Sequence, residues 1–264
     1  MRILSSILLS AVIALGISGP VLADASGVAK GVDPEASALL DNQTRTLVVG
    51  GDIFLGDVIK TGPKGLVQIL FADNTKLVIG PNSSLIIEDY LVRNDGSAGK
   101  LAINMLGGTF RFITGDSPKG AYEIITPSGT IGVRGTAFDA FVDELGIPHV
   151  LMFLGTTLLK SYGGDSEVLT GLCQMGEITD EAAEIVGNSS DFTGEDREEL
   201  KRWFKYALNQ SSLLREFWLG HALECTRKPP EDGGPVSILS DQGTGNGCPE
   251  GQYPDGEGGC GYPG

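Results

Sequence analysis

Basic residues are scarce in this 264-residue chain, where 19 Lys and Arg stand against 34 Asp and Glu for a formal charge of −15. A chain so acidic repels phosphate backbones, and no basic cluster offsets this, which argues against nucleic-acid binding. Histidine is scarcer still, at two residues, His149 and His221. There is no His-Glu-x-x-His metal motif, no Gly-x-Ser-x-Gly elbow and no phosphate-binding glycine loop ending in Lys-Ser/Thr. The expectation is therefore a non-enzymatic protein with no catalytic residue, cofactor or metal assigned. His149, after Pro148 and ahead of a strand, reads as a surface or edge residue. Aromatic residues are 7% of the chain, which disfavours a surface built for stacking on sugars.

Long hydrophobic runs are also missing, except at the start. Arg2 precedes an apolar run from Ile3 to Ile17, and Val21-Leu22-Ala23 follows with small-residue character. This predicts a signal peptide over residues 1–23, cleaved before Asp24. The run is shorter than the about 20 residues a spanning helix needs, and no cysteine adjoins the cleavage site for a lipid anchor. The expectation is a soluble exported protein with no stable membrane insertion after cleavage.

Four cysteines, Cys173, Cys225, Cys248 and Cys260, are even in number, as expected of disulfides in an oxidising compartment. Of three possible pairings, Cys173 with Cys225 and Cys248 with Cys260 is favoured. The first ties the end of a β region to the end of a helical one, and the second is local. Zinc is disfavoured because no two cysteines are closely spaced.

Residues 24–45, with Gly27, Gly31 and Pro34 and few large apolar groups, read as a poorly ordered lead-in. Over 46–175 short apolar runs recur between turns such as Thr61-Gly62-Pro63, Asp73-Asn74, Gly80-Pro81-Asn82 and Gly107-Gly108. That is a mainly β pattern of many short strands. Several runs, such as Leu77-Val78-Ile79, do not alternate, so they suit strands covered on both faces, in a sandwich core or a β-solenoid. Residues 176–225 are read as a helical segment. Asp180 to Val186 would form one piece. A capping box at Thr193 and Asp196 would start a second, with Leu200, Trp203, Phe204, Ala207 and Leu208 on one stripe. A further turn follows the spacing Leu214, Phe217, Trp218, His221. This segment is expected to cap the β domain. Residues 226–264 hold 11 glycines and 6 prolines, too many for a core, and are read as a disordered tail.

Glycine is concentrated in the stretch Tyr122 to Val142, at positions 129, 132 and 135, with Arg134 as the one full charge of its turn region. Gly132, Arg134, Gly135 and Thr136 form the candidate binding or structural motif. Arg134 either pairs with a carboxylate inside the fold or, beside Thr130 and Thr136, joins an anion-binding nest of backbone amides.

The run TPSGTIGVRGTAFD (Thr126 to Asp139), preceded by Gly56 to Tyr90 and by LGGTFRFITG (Leu106 to Gly115), resembles the FecR domain of bacterial envelope proteins. One departure is Asn74, where the family usually has glycine, and asparagine tolerates the left-handed conformation. The resemblance implies a solenoid-like β-roll and a periplasmic or secreted sensing or protein-interaction module. Family members relay siderophore status to a sigma factor. This chain has no cytoplasmic anti-sigma region or spanning helix before its β domain, so it is expected not to signal to the cytoplasm itself. The alternative is a structural or polysaccharide-binding envelope protein, the partner being an unknown envelope protein or glycan. N-terminal sequencing of the periplasmic protein should begin at Asp24. A chain beginning at Met1 in the membrane pellet would remove the export reading.

Overall fold

The computed structural model describes residues 25–92, 98–118, 120–226, 253–254 and 260–261. The expected signal peptide and Cys248 lie outside these. So does most of the glycine-rich tail, where β16 (Tyr253–Pro254) and β17 (Cys260–Gly261) pair. The chain is mainly β, 53% strand against 12% helix.

One sheet of fifteen strands carries the fold. It opens with β1 (Gly27–Asp33), β2 (Ala36–Leu40), β3 (Gln43–Thr46), β4 (Asp52–Ile53) and β5 (Val58–Thr61). Next come β6 (Leu66–Phe71), β7 (Lys76–Ile79), β8 (Ser84–Val92), β9 (Ala98–Ile113) and β10 (Tyr122–Thr126). The last are β11 (Gly129–Val142), β12 (Pro148–Ser161), β13 (Ser166–Leu169), β14 (Gln174–Ile178) and β15 (Ala183–Asn188). Its pairs are antiparallel except β9 with β10.

Three long strands change partners midway. The first part of β9 pairs with β8 and β10, its last residues with β7 and β11. In β11 the early residues pair with β10, and those from Ala137 onward with β9. In β12 the early residues pair with β14 and the late ones with β13. The turn from one half to the other is made by Gly135 in β11 and Gly155 in β12. Both have positive φ, 67° and 80°. A Cβ on Gly155 would lie 1.9 Å from the Gly135 carbonyl oxygen. No side chain fits there, and only glycine adopts this backbone without strain.

Because of these bends, both halves feed one core. Leu85, Ile103, Ile124, Ile131 and Leu159 come from one half, and Ile69, Leu77, Phe112, Phe138 and Val150 from the other. Phe112 meets Tyr122 edge-on at 5.7 Å across it. The second half is covered on its other face too, by residues 192–225. Leu200, Phe204, Ala207 and Ala222 pack there on Ala137, Leu151, Phe153 and Met175, while Tyr206, Leu213 and Phe217 pack on Leu66 and Val78. This explains Leu77-Val78-Ile79: Leu77 and Ile79 face the core and Val78 faces the strap.

Two expectations need correction. Of the expected lead-in over 24–45, the described residues 25–45 are not loose, since β1 pairs with β6 and Ala29 is fully buried. At Gly27 a Cβ would meet the Leu70 carbonyl oxygen at 2.9 Å, so close packing produced the glycine signal that resembled disorder. Residues 183–188, read as helix, form β15 against β14. Ladder pairing from Ala183 to Ile185, with Val186 at a bulge, outweighs an ambiguous spacing.

The helical pieces are α1 (Gly194–Trp203) and α2 (Lys205–Leu208), with 3₁₀ turns at Arg215–Phe217 and Ala222–Thr226. Leu200, Phe204 and Ala207 of the stripe are buried. The capping box sits at Asn188 and Asp191, on the preceding 3₁₀ turn, while Thr193 makes no side-chain cap bond. Of the later spacing, Phe217 is buried while Leu214, Trp218 and His221 are exposed.

One residue ties the chain just before the strap and at the strap's end. Ser189 N donates to the Cys173 carbonyl at 2.9 Å, and Cys173 is disulfide-bonded to Cys225. Replacing Cys225 by serine should lower unfolding stability by about 2 to 4 kcal/mol, the usual worth of a disulfide closing a long loop. Denaturant titration measures this; a midpoint matching wild type would mean the strap is held without the bond.

Candidate functional site

Among the described residues Arg111 is the fully buried arginine, which sequence reasoning passed over in favour of Arg134. Arg111 projects from β9 into the layer between sheet and strap, and both it and Asp139 of β11 are fully buried. Arg111 Nε donates to Asp139 Oδ1 at 2.6 Å and Nη2 to Oδ2 at 2.9 Å, the two-pronged geometry that arginine offers a carboxylate. The strap supplies the rest. Nη1 donates to the Gln210 side-chain oxygen, and the Phe217 carbonyl lies 3.5 Å away. Phe153 and Tyr206 flank the guanidinium at 5.4 and 6.0 Å. Burial pushes the Asp139 carboxyl above its ordinary range, against the pull of Arg111, and raises the Tyr206 hydroxyl strongly. The available signal was a lone charge in each of two apolar strands, TFRFI and AFDAF.

Arg134 is exposed, and among the described residues no ion pair involves it. The reading that paired it with an internal carboxylate is thus corrected: Arg134 precedes the Gly135 bend, on the face turned from the core. Thr130 lies in ladders with Ile125 and Lys160, and the buried Thr136 uses its carbonyl to accept from Thr114 N at 3.0 Å. Gly132 and Arg134 instead line a shallow trough of about 430 Å³ with Gly120, Tyr122, Val133, Thr156, Leu158 and Val168. Gly132 sits opposite Leu158, and Leu158 opposite Val168, so the three lie side by side across β11, β12 and β13. On the other side Gly132 faces Glu123, which is engaged by Lys100 at 3.4 Å and holds that ammonium above its ordinary range.

A second, mixed-charge groove of about 890 Å³ includes Lys60, Asn82, Asp143, Glu144, Arg202 and Lys205. Beside it His149 is buried rather than at the surface. It stacks on Trp203 at 4.1 Å, with Asp143 and Glu177 each 3.5 Å from a ring nitrogen. Among the described residues no group of side chains is arranged to hold a metal ion, and no helix is long and apolar enough to cross a membrane.

Among the described residues the structure thus defines a bent β-sheet protein with one outer face covered by residues 192–225 and the outer face of the other half uncovered. Residues 57–150 match the family described as FecR protein, and the chain carries a FecR domain over that stretch. The match spans Arg111, Asp139 and Arg134 and ends before the strap and the cysteines. Among solved structures, a cell surface anchoring domain is 35% identical over 23% of this chain and 82% of its own, with a TM-score of 0.23. Two structures from Parabacteroides distasonis ATCC 8503, both provisionally designated anti-sigma factors, are 13% and 15% identical. They cover 56% and 58% of this chain and 74% and 64% of their own, with TM-scores of 0.40 and 0.39. None of the curated proteins matches.

The two arginines should respond oppositely to mutation. Asp139→Ala strands the Arg111 charge in the interior and should cost about 3 to 5 kcal/mol, whereas Arg134→Ala should change stability by less than about 0.5 kcal/mol. Thermal melts of both variants check this; a large drop for Arg134→Ala would show that it bears structural load.

Proposed function

We propose that this chain is an exported, non-enzymatic FecR-domain module that works in the cell envelope by binding another protein through its bare outer face. The observation that carries the reading is the side-by-side exposure of Leu158 and Val168, 42% and 45% exposed, beside the uncovered Gly132. The opposite half buries its outer face under residues 192–225, so the same sheet has one face finished in cis and another left for a partner. The Cys173–Cys225 disulfide and the apolar N-terminal run favour an oxidising compartment, the periplasm or the exterior. The roll form implied by the resemblance is part of this proposal, supported by a single core fed from both halves of the sheet.

A photo-crosslinking residue at position 158, in cells exporting the protein, should capture one discrete protein. The same residue at Leu145, exposed on the β11–β12 turn, should not. Equal capture at both positions, or none at 158, would overturn the reading.

A further inference from the structure

We infer that the trough beside Gly132 receives an extended peptide segment of the partner, with an aliphatic side chain seated against Leu158 and Val168 and an adjacent carboxylate paired with Arg134. This deepens the protein-binding reading and rests on it. Gly132 supplies the seat. Its cross-strand neighbour Leu158, with Val168 next across the sheet, stands as a wall, while a Cβ at 132 would lie 3.4 Å from the Leu158 Cβ and fill the floor. Tyr122, on the far side, is 5% exposed and offers no aromatic platform for a sugar ring. Arg134 is the one charge among the trough's lining residues, in a chain with 34 acidic residues. The carboxylate across the sheet, Glu123, is engaged by Lys100. Charge complementarity therefore selects an anion. One guanidinium among aliphatic side chains suits a carboxylate next to an apolar residue, since a phosphate site usually gathers several donors. The Val168 wall lies on β13, whose one ladder partner among the described residues is β12, so an extended chain reaches the trough from a sheet edge.

The test uses the isotopically labelled exported chain and three blocked peptides, Thr-Leu-Asp-Thr, Thr-Leu-Asn-Thr and Thr-Ala-Asp-Thr, followed by amide and methyl chemical shifts. Expected are saturable shifts at Gly132, Arg134, Leu158 and Val168 with the first peptide, and affinity about tenfold weaker when aspartate becomes asparagine. Arg134→Glu should abolish that difference, and Leu158→Ser should weaken both aspartate peptides to a common level. Equal binding of the asparagine peptide would overturn the carboxylate pairing. Shifts confined to other residues, binding of N-acetylglucosamine oligomers at the trough, or concentration-dependent trough shifts in the protein alone would each overturn the peptide assignment. Should crosslinking at position 158 capture a protein while these peptides fail, this inference falls and the protein-binding reading stands.

Discussion

A buried guanidinium sets the terms for this structure. Arg111 carries a full charge on the outer face of the β9, β11 and β12 half-sheet, fully out of contact with solvent. Removing an arginine and an aspartate from water costs several kcal/mol per ion unless geometry and extra hydrogen bonds offset it. Asp139 satisfies two nitrogens, but the third finds its partners, Gln210 and the Phe217 carbonyl, in the strap. Gln210 is itself held, its nitrogen donating to the Leu219 carbonyl and its oxygen accepting from Leu219 N. Gln68 of β6 adds a second polar contact, its side-chain oxygen accepting from Leu214 N at 2.7 Å, so sheet and strap are matched at these polar points within an apolar interface, which fixes how residues 192–225 lie on the sheet.

The strap changes what the FecR domain can present. Without it, Leu151, Phe153, Met175 and Val78 would expose apolar side chains on the half now covered. With it, the exposed aliphatic pair Leu158 and Val168 lies on the other half. Gly135 and Gly155 connect these facts, because the bend they permit divides β11 and β12 into a covered half and an open half. Arg134, one residue before the bend, falls on the open side.

Much of the fold was legible in the primary structure. Strand after strand from Val58 to Leu169 shows short apolar runs closed by turn residues, and the turn at Asn74 adopts the positive φ, 63°, expected of it. The pairing of Cys173 with Cys225 was also favoured on position alone, and it is present. Misreadings arose where local chemistry is ambiguous. Gly27 signals disorder by composition but close packing in place. Ala183, Ile185 and Val186 fit a helical spacing, yet they lie in β15, the edge strand paired to β14.

The candidate site was half legible. Gly132, Arg134 and Gly135 were picked out by composition, since an isolated charge among glycines is conspicuous, but their roles were not. Burial is a property of the face a residue lands on. A strand sequence states which residues share a face without stating what covers that face. So the chain by itself determined a mainly β architecture, its bends, and the presence of lone charges in apolar strands. Only the tertiary structure decided that Arg111 is the one enclosed and Arg134 the one in water. The cover comes from a segment about 100 residues further along, and its docking depends on side-chain contacts that no local pattern encodes.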